Sequence, residues 1–294
     1  MKSLASSQEQ LNQLKDRLID PLASELIEKV EWIYLKGVSN TKNELYPIAI
    51  SGEGPKILML HGFDSCFLEF RRLIPLLRNK YQLIIPDMYG FGFCPRPNSN
   101  DYGIQSVILH LTKVIEVLSI NSSIGIIGAS MGGTVAIELA RKIPKKINRL
   151  LLLSPAGICN NPTKVMWPLD QLGVLFLKQS CVRRSLCRQA FANPKESVGE
   201  AEEQIASIHL NVPGWHRSLS SFARNGGIAN SGEPIPNKPI NVLWGAQDRI
   251  LKSKERKKSM VFLKKDCGEI ENCGHLPHLD RPKIVAENCH LFFK

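Results

Sequence analysis

"SIGIIGASMGGTVAIELA", Ser123 to Ala140, is the stretch on which the fold turns. An apolar run, Ile124 to Ile127, passes through Gly128-Ala129-Ser130-Met131-Gly132 and continues as an amphipathic helix. A short apolar run of this kind reads as a strand buried on both faces. A hydroxyl between glycines at a sharp strand-to-helix corner needs a reason. A serine hydroxyl is a poor nucleophile at neutral pH and requires an adjacent base. The corner lifts its side chain clear of the sheet toward solvent, and the glycines let the backbones crowd around it. The helix N-terminus adds free N–H groups and the positive end of its dipole beneath a developing negative charge. Ser130 is therefore the candidate nucleophile. The G-x-S-x-G spacing alone is also compatible with a plain glycine-rich turn; its place between strand and helix gives it weight.

The same alternation runs outward in both directions. "EWIYLKGV" and "ELYPIAISG" read as half-buried strands joined by a polar turn, Ser39 to Asn43. "KILML", "YQLIIPD", "RLLLLS" and "PINVLWG" are apolar strands, and "GEIEN" is a last short one. Between them lie the helical stretches "FLEFRRLIPLL", "QSVILHLTKVIEVL", "GTVAIELARKI", "KSKERKKSMVFLKK" and "KIVAENCHLFF". Alternating β and α predicts a mostly parallel sheet with helices on both faces. The rhythm breaks in residues 155–237, which read as helices and loops, an α-helical lid (cap) inserted at the sheet's edge. The core is then residues 31–154 and 238–294. Residues 1–30 form a helical extension whose Leu11, Leu14 and Leu18 share one face, suited to packing on the domain's own sheet or, less simply, on a membrane.

Composition bounds the function. The 294 residues fit one large α/β domain or two small ones, and at 43% apolar they are ample for a sizeable core. The net charge of +11 is spread in small basic groups with no aromatic interleaving, which reads as a solvated basic face and argues against nucleic-acid binding. Eight cysteines follow no disulfide or zinc spacing, residues 1–20 hold no apolar core of signal-peptide length, and no apolar run spans a bilayer. A cytoplasmic protein with reduced thiols and a small-molecule substrate is expected. Cys94 and Cys273 flank site motifs and read as buried spectators.

In open α/β sheets, ligands bind beyond the carboxyl ends of the strands. Loops at that edge carry His61-Gly62-Phe63-Asp64, Asp87 to Gly92, the Ser130 corner, Gly245-Ala246-Gln247-Asp248 and Gly274-His275-Leu276-Pro277. His275, after the last strand, is the candidate base, in preference to His278. Asp248 is the candidate carboxylate that fixes the imidazole tautomer. Two backbone N–H groups, of Met131 and Phe63, are the candidate oxyanion donors. Asp64 or Ser65 reads as the cap of a helix beginning near Cys66. The G-F-G of the Asp87 loop lacks the Lys and Ser of a phosphate loop. Neither cofactor nor metal is called for. Met166, Trp167, Leu172 and Phe176 suit an apolar pocket wall or the insertion's own packing, and Trp167 is the candidate substrate contact.

The HGF, D-x-x-G-x-G, G-x-S-x-G-G, G-x-x-D and G-H-x-P elements, in this order from Lys56 to the C-terminus, resemble the α/β-hydrolase superfamily. "HGFDSCFLEFRRLIPLL" with "DMYGFGF" looks most like uncharacterised hydrolases of cyanobacterial and plastid type. The resemblance implies an α/β-hydrolase fold, a Ser130-Asp248-His275 triad, a Phe63/Met131 oxyanion hole and a lid. Serine at the elbow sets the chain apart from the dehalogenases and epoxide hydrolases of this fold, which use Asp there. Three activities stay open: carboxylesterase-like hydrolysis of an ester or related acyl bond, C–C bond hydrolysis or a lyase reaction with the same triad, and ligand binding without catalysis. The C–C hydrolases usually carry a Trp shortly after the histidine, where this chain has "HLPHLD".

Overall fold

A computed structural model describes residues 7–39, 44–98, 101–159, 163–227, 234–263 and 268–294. The strands are β1 (Val30–Tyr34), β2 (Leu45–Ser51), β3 (Lys56–Leu60), β4 (Gln82–Pro86), β5 (Ile124–Ala129), β6 (Ile147–Leu153), β7 (Ile240–Gly245) and β8 (Gly268–Ile270). They form one sheet in the order β1-β2-β4-β3-β5-β6-β7-β8. β2 pairs antiparallel with β1 and β4, and all later pairings are parallel. The parallel strands thus end at one edge, where their loops converge.

The helices are α1 (Ser7–Lys15), α2 (Pro21–Ile27), α3 (Ile74–Leu77), α4 (Ile104–Val117), α5 (Met131–Lys142), α6 (Leu169–Lys178), α7 (Ser180–Gln189), α8 (Pro194–Ser197), α9 (Glu200–Ser207), α10 (Trp215–Arg224), α11 (Ser253–Leu263), α12 (Pro277–Asp280) and α13 (Pro282–Phe292). Successive strand residues point to opposite faces, so each strand feeds two cores. Leu58, Ile126, Leu150 and Val242 join Leu111 of α4 and Val135 of α5 on one face. Ile57, Met59, Ile127 and Leu151 join Leu26 of α2 and Val285 of α13 on the other. Leu11 is buried in that second core and Leu14 and Leu18 pack against it, so the N-terminal helical face covers the domain's own core.

Two expectations change. "FLEFRRLIPLL" is not one helix but a 3₁₀ turn, Phe67–Phe70, followed by the short α3. Pro75 sits in the first turn of α3; its ring would clash with the Arg71 carbonyl in a continuous helix. Neither Asp64 nor Ser65 caps the turn: Cys66 holds that position without a side-chain bond, and Asp64 is buried elsewhere. Of the turn between β1 and β2, residues 40–43 lie outside the described residues. Residues 155–237 lie between β6 and β7 and, where described, carry α6 to α10 and no strand. Among the described residues no helix is long and apolar enough to cross a membrane.

Candidate active site

The corner after β5 has the tight geometry its glycines imply. A β-carbon on Gly132 would sit 2.1 Å from the Leu60 carbonyl oxygen, and one on Gly128 would sit 2.4 Å from that of Gly132. Only hydrogen fits where β3, β5 and α5 meet. Ser130 itself takes φ +50 and ψ −116, a left-handed conformation that a non-glycine residue adopts under strain. Its N–H donates to Leu153 O at 2.9 Å, and its carbonyl accepts from Gly133 and Ala156 N–H at 3.0 Å each. The strained residue is thereby fixed by β6 and the chain that follows it. Ser130 is buried at 8% exposure rather than open to solvent, although the elbow alone would leave it uncovered.

His275 lies between two partners. Its Nε2 is 2.9 Å from Ser130 Oγ and its Nδ1 is 2.9 Å from Asp248 Oδ2. With the ring proton on Nδ1 donated to the carboxylate, Nε2 is free to accept from the serine hydroxyl. Asp248 Oδ1 accepts from Ile250 N–H at 2.8 Å and Leu251 N–H at 3.0 Å. Burial pushes the Asp248 carboxyl up, but the His275 hydrogen bond and charge, with those two N–H groups, hold it below its ordinary value. The loops carrying Asp248 and His275 are stitched together: Gln247 N–H donates to Cys273 O, and Cys273 N–H donates to Gln247 Oε1, both at 2.9 Å.

The loop after β3 reaches the same point. A β-carbon on Gly62 would lie 3.5 Å from the Ser130 β-carbon, so this loop packs directly against the nucleophile's corner. Among the described residues, the N–H groups of Phe63 and Met131 have no protein acceptor. Unpartnered backbone donors of this kind, one in the loop after β3 and one at the start of α5, are what an oxyanion needs. The Phe63 ring meets Phe91 edge-on at 5.8 Å and lies tilted against Phe222 at 5.9 Å. His61 lies beneath: Nδ1–H donates to Gly62 O at 2.8 Å and Nε2 accepts from Met88 N–H at 3.0 Å. Burial lowers it to about 4, so it stays neutral and structural.

Several supporting groups carry no local sequence signal. Glu69 is buried and accepts from Gly62 N–H at 3.2 Å through both oxygens. An acid inside the apolar run "CFLEF" is the one hint, since a buried carboxylate must be paired. His278 is buried on α12, with its ring 5.0 Å from that of Phe70 and Nε2 3.0 Å from Glu69 Oε1, off the hydrogen-bond direction. Asp280 Oδ2 accepts from Gly274 N–H at 2.7 Å and Ala192 N–H at 2.9 Å, and His275 N–H donates to Ala190 O at 2.8 Å. The histidine loop therefore rests on the end of α7.

Other expected residues fall outside this cluster. Trp167 is 75% exposed and, with Met166, Leu169, Leu172 and Phe176, forms an apolar surface at the start of the insertion. It is not among the residues that border the cavity beside Phe63. Val165, two residues earlier, is: with Phe63, Leu219, Phe222, Ala223 and Lys258 it borders a cavity of about 620 Å³. Cys94 and Cys273 are buried thiols; burial pushes Cys273 up to about 12, away from reactivity. Among the described residues no group of three His, Cys, Asp or Glu side chains is arranged to hold a metal ion.

Comparison with known proteins gives this arrangement its class. Residues 57–288 match the profile of the alpha/beta hydrolase family. The chain belongs to that family. It is 36% identical over 266 residues to Lipase 1 of Psychrobacter immobilis, covering 81% of this chain and 77% of the lipase. It is 24% identical over 245 residues to the uncharacterized hydrolase YugF of Bacillus subtilis, covering 81% and 89%. A solved structure of a meta-cleavage product hydrolase from Pseudomonas fluorescens superposes with a TM-score of 0.72 at 21% identity, over 85% of this chain and 94% of that one.

Proposed function

We propose that this chain is a serine hydrolase that cleaves an ester or related acyl bond of a small, mainly apolar substrate through an acyl-enzyme. The observation that carries the reading is the placement of His275 within 2.9 Å of both Ser130 Oγ and Asp248 Oδ2. Ser130 Oγ attacks the substrate carbonyl as Nε2 takes its proton. The imidazolium that forms is held by the Asp248 carboxylate. The carbonyl oxygen becomes an oxyanion and receives the Met131 and Phe63 N–H groups, above the N-terminus of α5. Collapse expels the alcohol, which leaves with the proton from Nε2. Water then attacks the acyl-serine, with His275 again as base, and the acid departs. Every step uses groups of this chain and water.

The cavity of about 620 Å³ bordered by Phe63 is of a size for a small-molecule ligand. Leu219, Phe222 and Ala223 of α10 form part of its wall, so the helical insertion acts as a cap that selects substrate by shape and excludes water from the acyl-enzyme. The test is labelling with a fluorophosphonate probe alongside p-nitrophenyl ester turnover. The wild-type chain is labelled at Ser130 and turns over ester, and Ser130→Ala does neither. A wild-type chain that takes no label and hydrolyses no ester would make the pocket a binding site.

A further inference from the structure

Asp64 immediately follows Phe63, and nothing in the triad chemistry calls for a carboxylate there. Its backbone takes φ +48, a strained left-handed conformation. Its side chain is buried among three donors. Oδ1 accepts from His209 Nε2 and from Trp215 Nε1–H at 2.9 and 2.8 Å, while Oδ2 pairs with Arg183. Arg183 lies on α7, His209 on a 3₁₀ turn (Ile208–Asn211) and Trp215 on α10, so three separate elements between β6 and β7 converge on one carboxylate. Arg183 also donates to Ala206 O, which ties α9 into the same knot. Burial pushes the Asp64 carboxyl up, but His209, Arg183 and the Trp215 N–H hold it well below the usual range, so it is ionised.

On the other side of Phe63, Gly62 N–H is held by Glu69 from the core. The Phe63 peptide thus hangs between two buried carboxylates, one paired to the core and one to the insertion. We propose that Asp64 is a positioning residue. It aims the Phe63 N–H at the oxyanion, so the hole is complete only while the helical insertion is docked. This rests on the serine-hydrolase reading above. Removing one oxyanion donor costs about 10²–10³-fold in kcat, and a misaimed donor loses part of that range.

A purely structural tie between insertion and core predicts something different, and the chain contains one for comparison. Glu202 of α9 pairs with Arg71 and Arg72 of the core rather than with the Phe63 loop. Asp64→Asn, Trp215→Phe and Glu202→Gln are compared with wild type by kcat and KM on a p-nitrophenyl ester, by Tm, and by inhibition with a trifluoromethyl ketone. The hemiketal oxyanion of that inhibitor occupies the hole. Asp64→Asn, which puts an amide N–H against Arg183, lowers kcat by about 10²-fold with KM within about threefold. The ketone's affinity falls by the same factor. Trp215→Phe keeps two of the three partners, and lowers kcat and ketone affinity together by about 3- to 10-fold. Glu202→Gln lowers Tm and leaves kcat and ketone affinity alone. If Asp64→Asn does not fold, Trp215→Phe decides. The proposal is overturned if Trp215→Phe lowers Tm while kcat and ketone affinity hold, or if Glu202→Gln reproduces the kcat loss. A wild-type chain that neither hydrolyses the ester nor takes the phosphonate label overturns the hydrolase reading first, and this inference with it.

Discussion

Asp248→Asn removes a charge while keeping the shape, and the surroundings fix how the new amide must lie. Asp248 Oδ1 accepts from two backbone N–H groups, those of Ile250 and Leu251, and Oδ2 takes the His275 Nδ1 proton at 2.9 Å. Asparagine has one acceptor oxygen, and the two backbone donors hold it on their side. The amide NH₂ then faces Nδ1, which must give up its proton. The ring proton moves to Nε2, the atom 2.9 Å from Ser130 Oγ that has to receive the serine proton. Wrong-tautomer triads lose about 10⁴-fold in kcat. At about 1.36 kcal/mol per decade that is about 5.4 kcal/mol of transition-state stabilisation. The assay is kcat on a p-nitrophenyl ester, with Tm measured on the same sample to show that the fold is intact. Asp280→Asn is the comparison, because Asp280 supports the Gly274 N–H rather than the imidazole; loosening that loop costs on the order of tenfold. A loss below about tenfold for Asp248→Asn, or one smaller than for Asp280→Asn, would refute the tautomer reasoning.

Gly245→Ala places a β-carbon 1.8 Å from the Gly274 carbonyl oxygen, so the Asp248 and His275 loops must part; lowered Tm and lost turnover follow together, read by calorimetry and ester assay. Burial raises the Glu69 carboxyl, but the adjacent His278 ring and the Ser65 hydroxyl bring it down to about 2. A carboxyl held below its ordinary value stabilises the fold above that value and loses its contribution as pH falls toward 2. The stability gap between wild type and Glu69→Gln therefore narrows by about 2 kcal/mol from pH 5 to pH 3 in urea titrations; an unchanged gap would show that Glu69 is not held ionised. Phe222→Ala enlarges the cavity beside Phe63 and shifts kcat/KM toward longer acyl chains, whereas Trp167→Ala, at an exposed site, leaves that preference and Tm unchanged. A chain-length shift in Trp167→Ala would return that residue to the substrate path.

Strand and helix order was legible because each element's pattern is local: unbroken Ile and Leu runs for strands buried on both faces, three- and four-residue spacing for the helices. The Ser130 corner was legible for the same reason. Its glycine spacing falls within five residues, and the crowding of Gly128 against the Gly132 carbonyl is local, although that of Gly132 against the Leu60 carbonyl comes from the neighbouring strand β3. Ser130, Asp248 and His275 are brought together because each ends or follows a strand of one parallel sheet, and parallel strands deliver their loops to one edge. Pro75 did carry a local signal against one long helix after β3, and the structure breaks there.

What lies above that edge was decided only by the tertiary structure. Trp167 near the start of an apolar stretch reads equally as pocket wall or surface, since amphipathic spacing gives a face without saying what it faces; the chain turns it outward. Ser130 is covered by contacts no local pattern records. Asp64 is the sharpest case. A carboxylate after a turn reads as a helix cap, because a cap is a bond to residues two or three positions on. The partners it takes instead, Arg183, His209 and Trp215, stand 119, 145 and 151 residues away. Their convergence exists only once the helices between β6 and β7 have folded back over the sheet, and no short stretch of sequence contains both ends of such a bond.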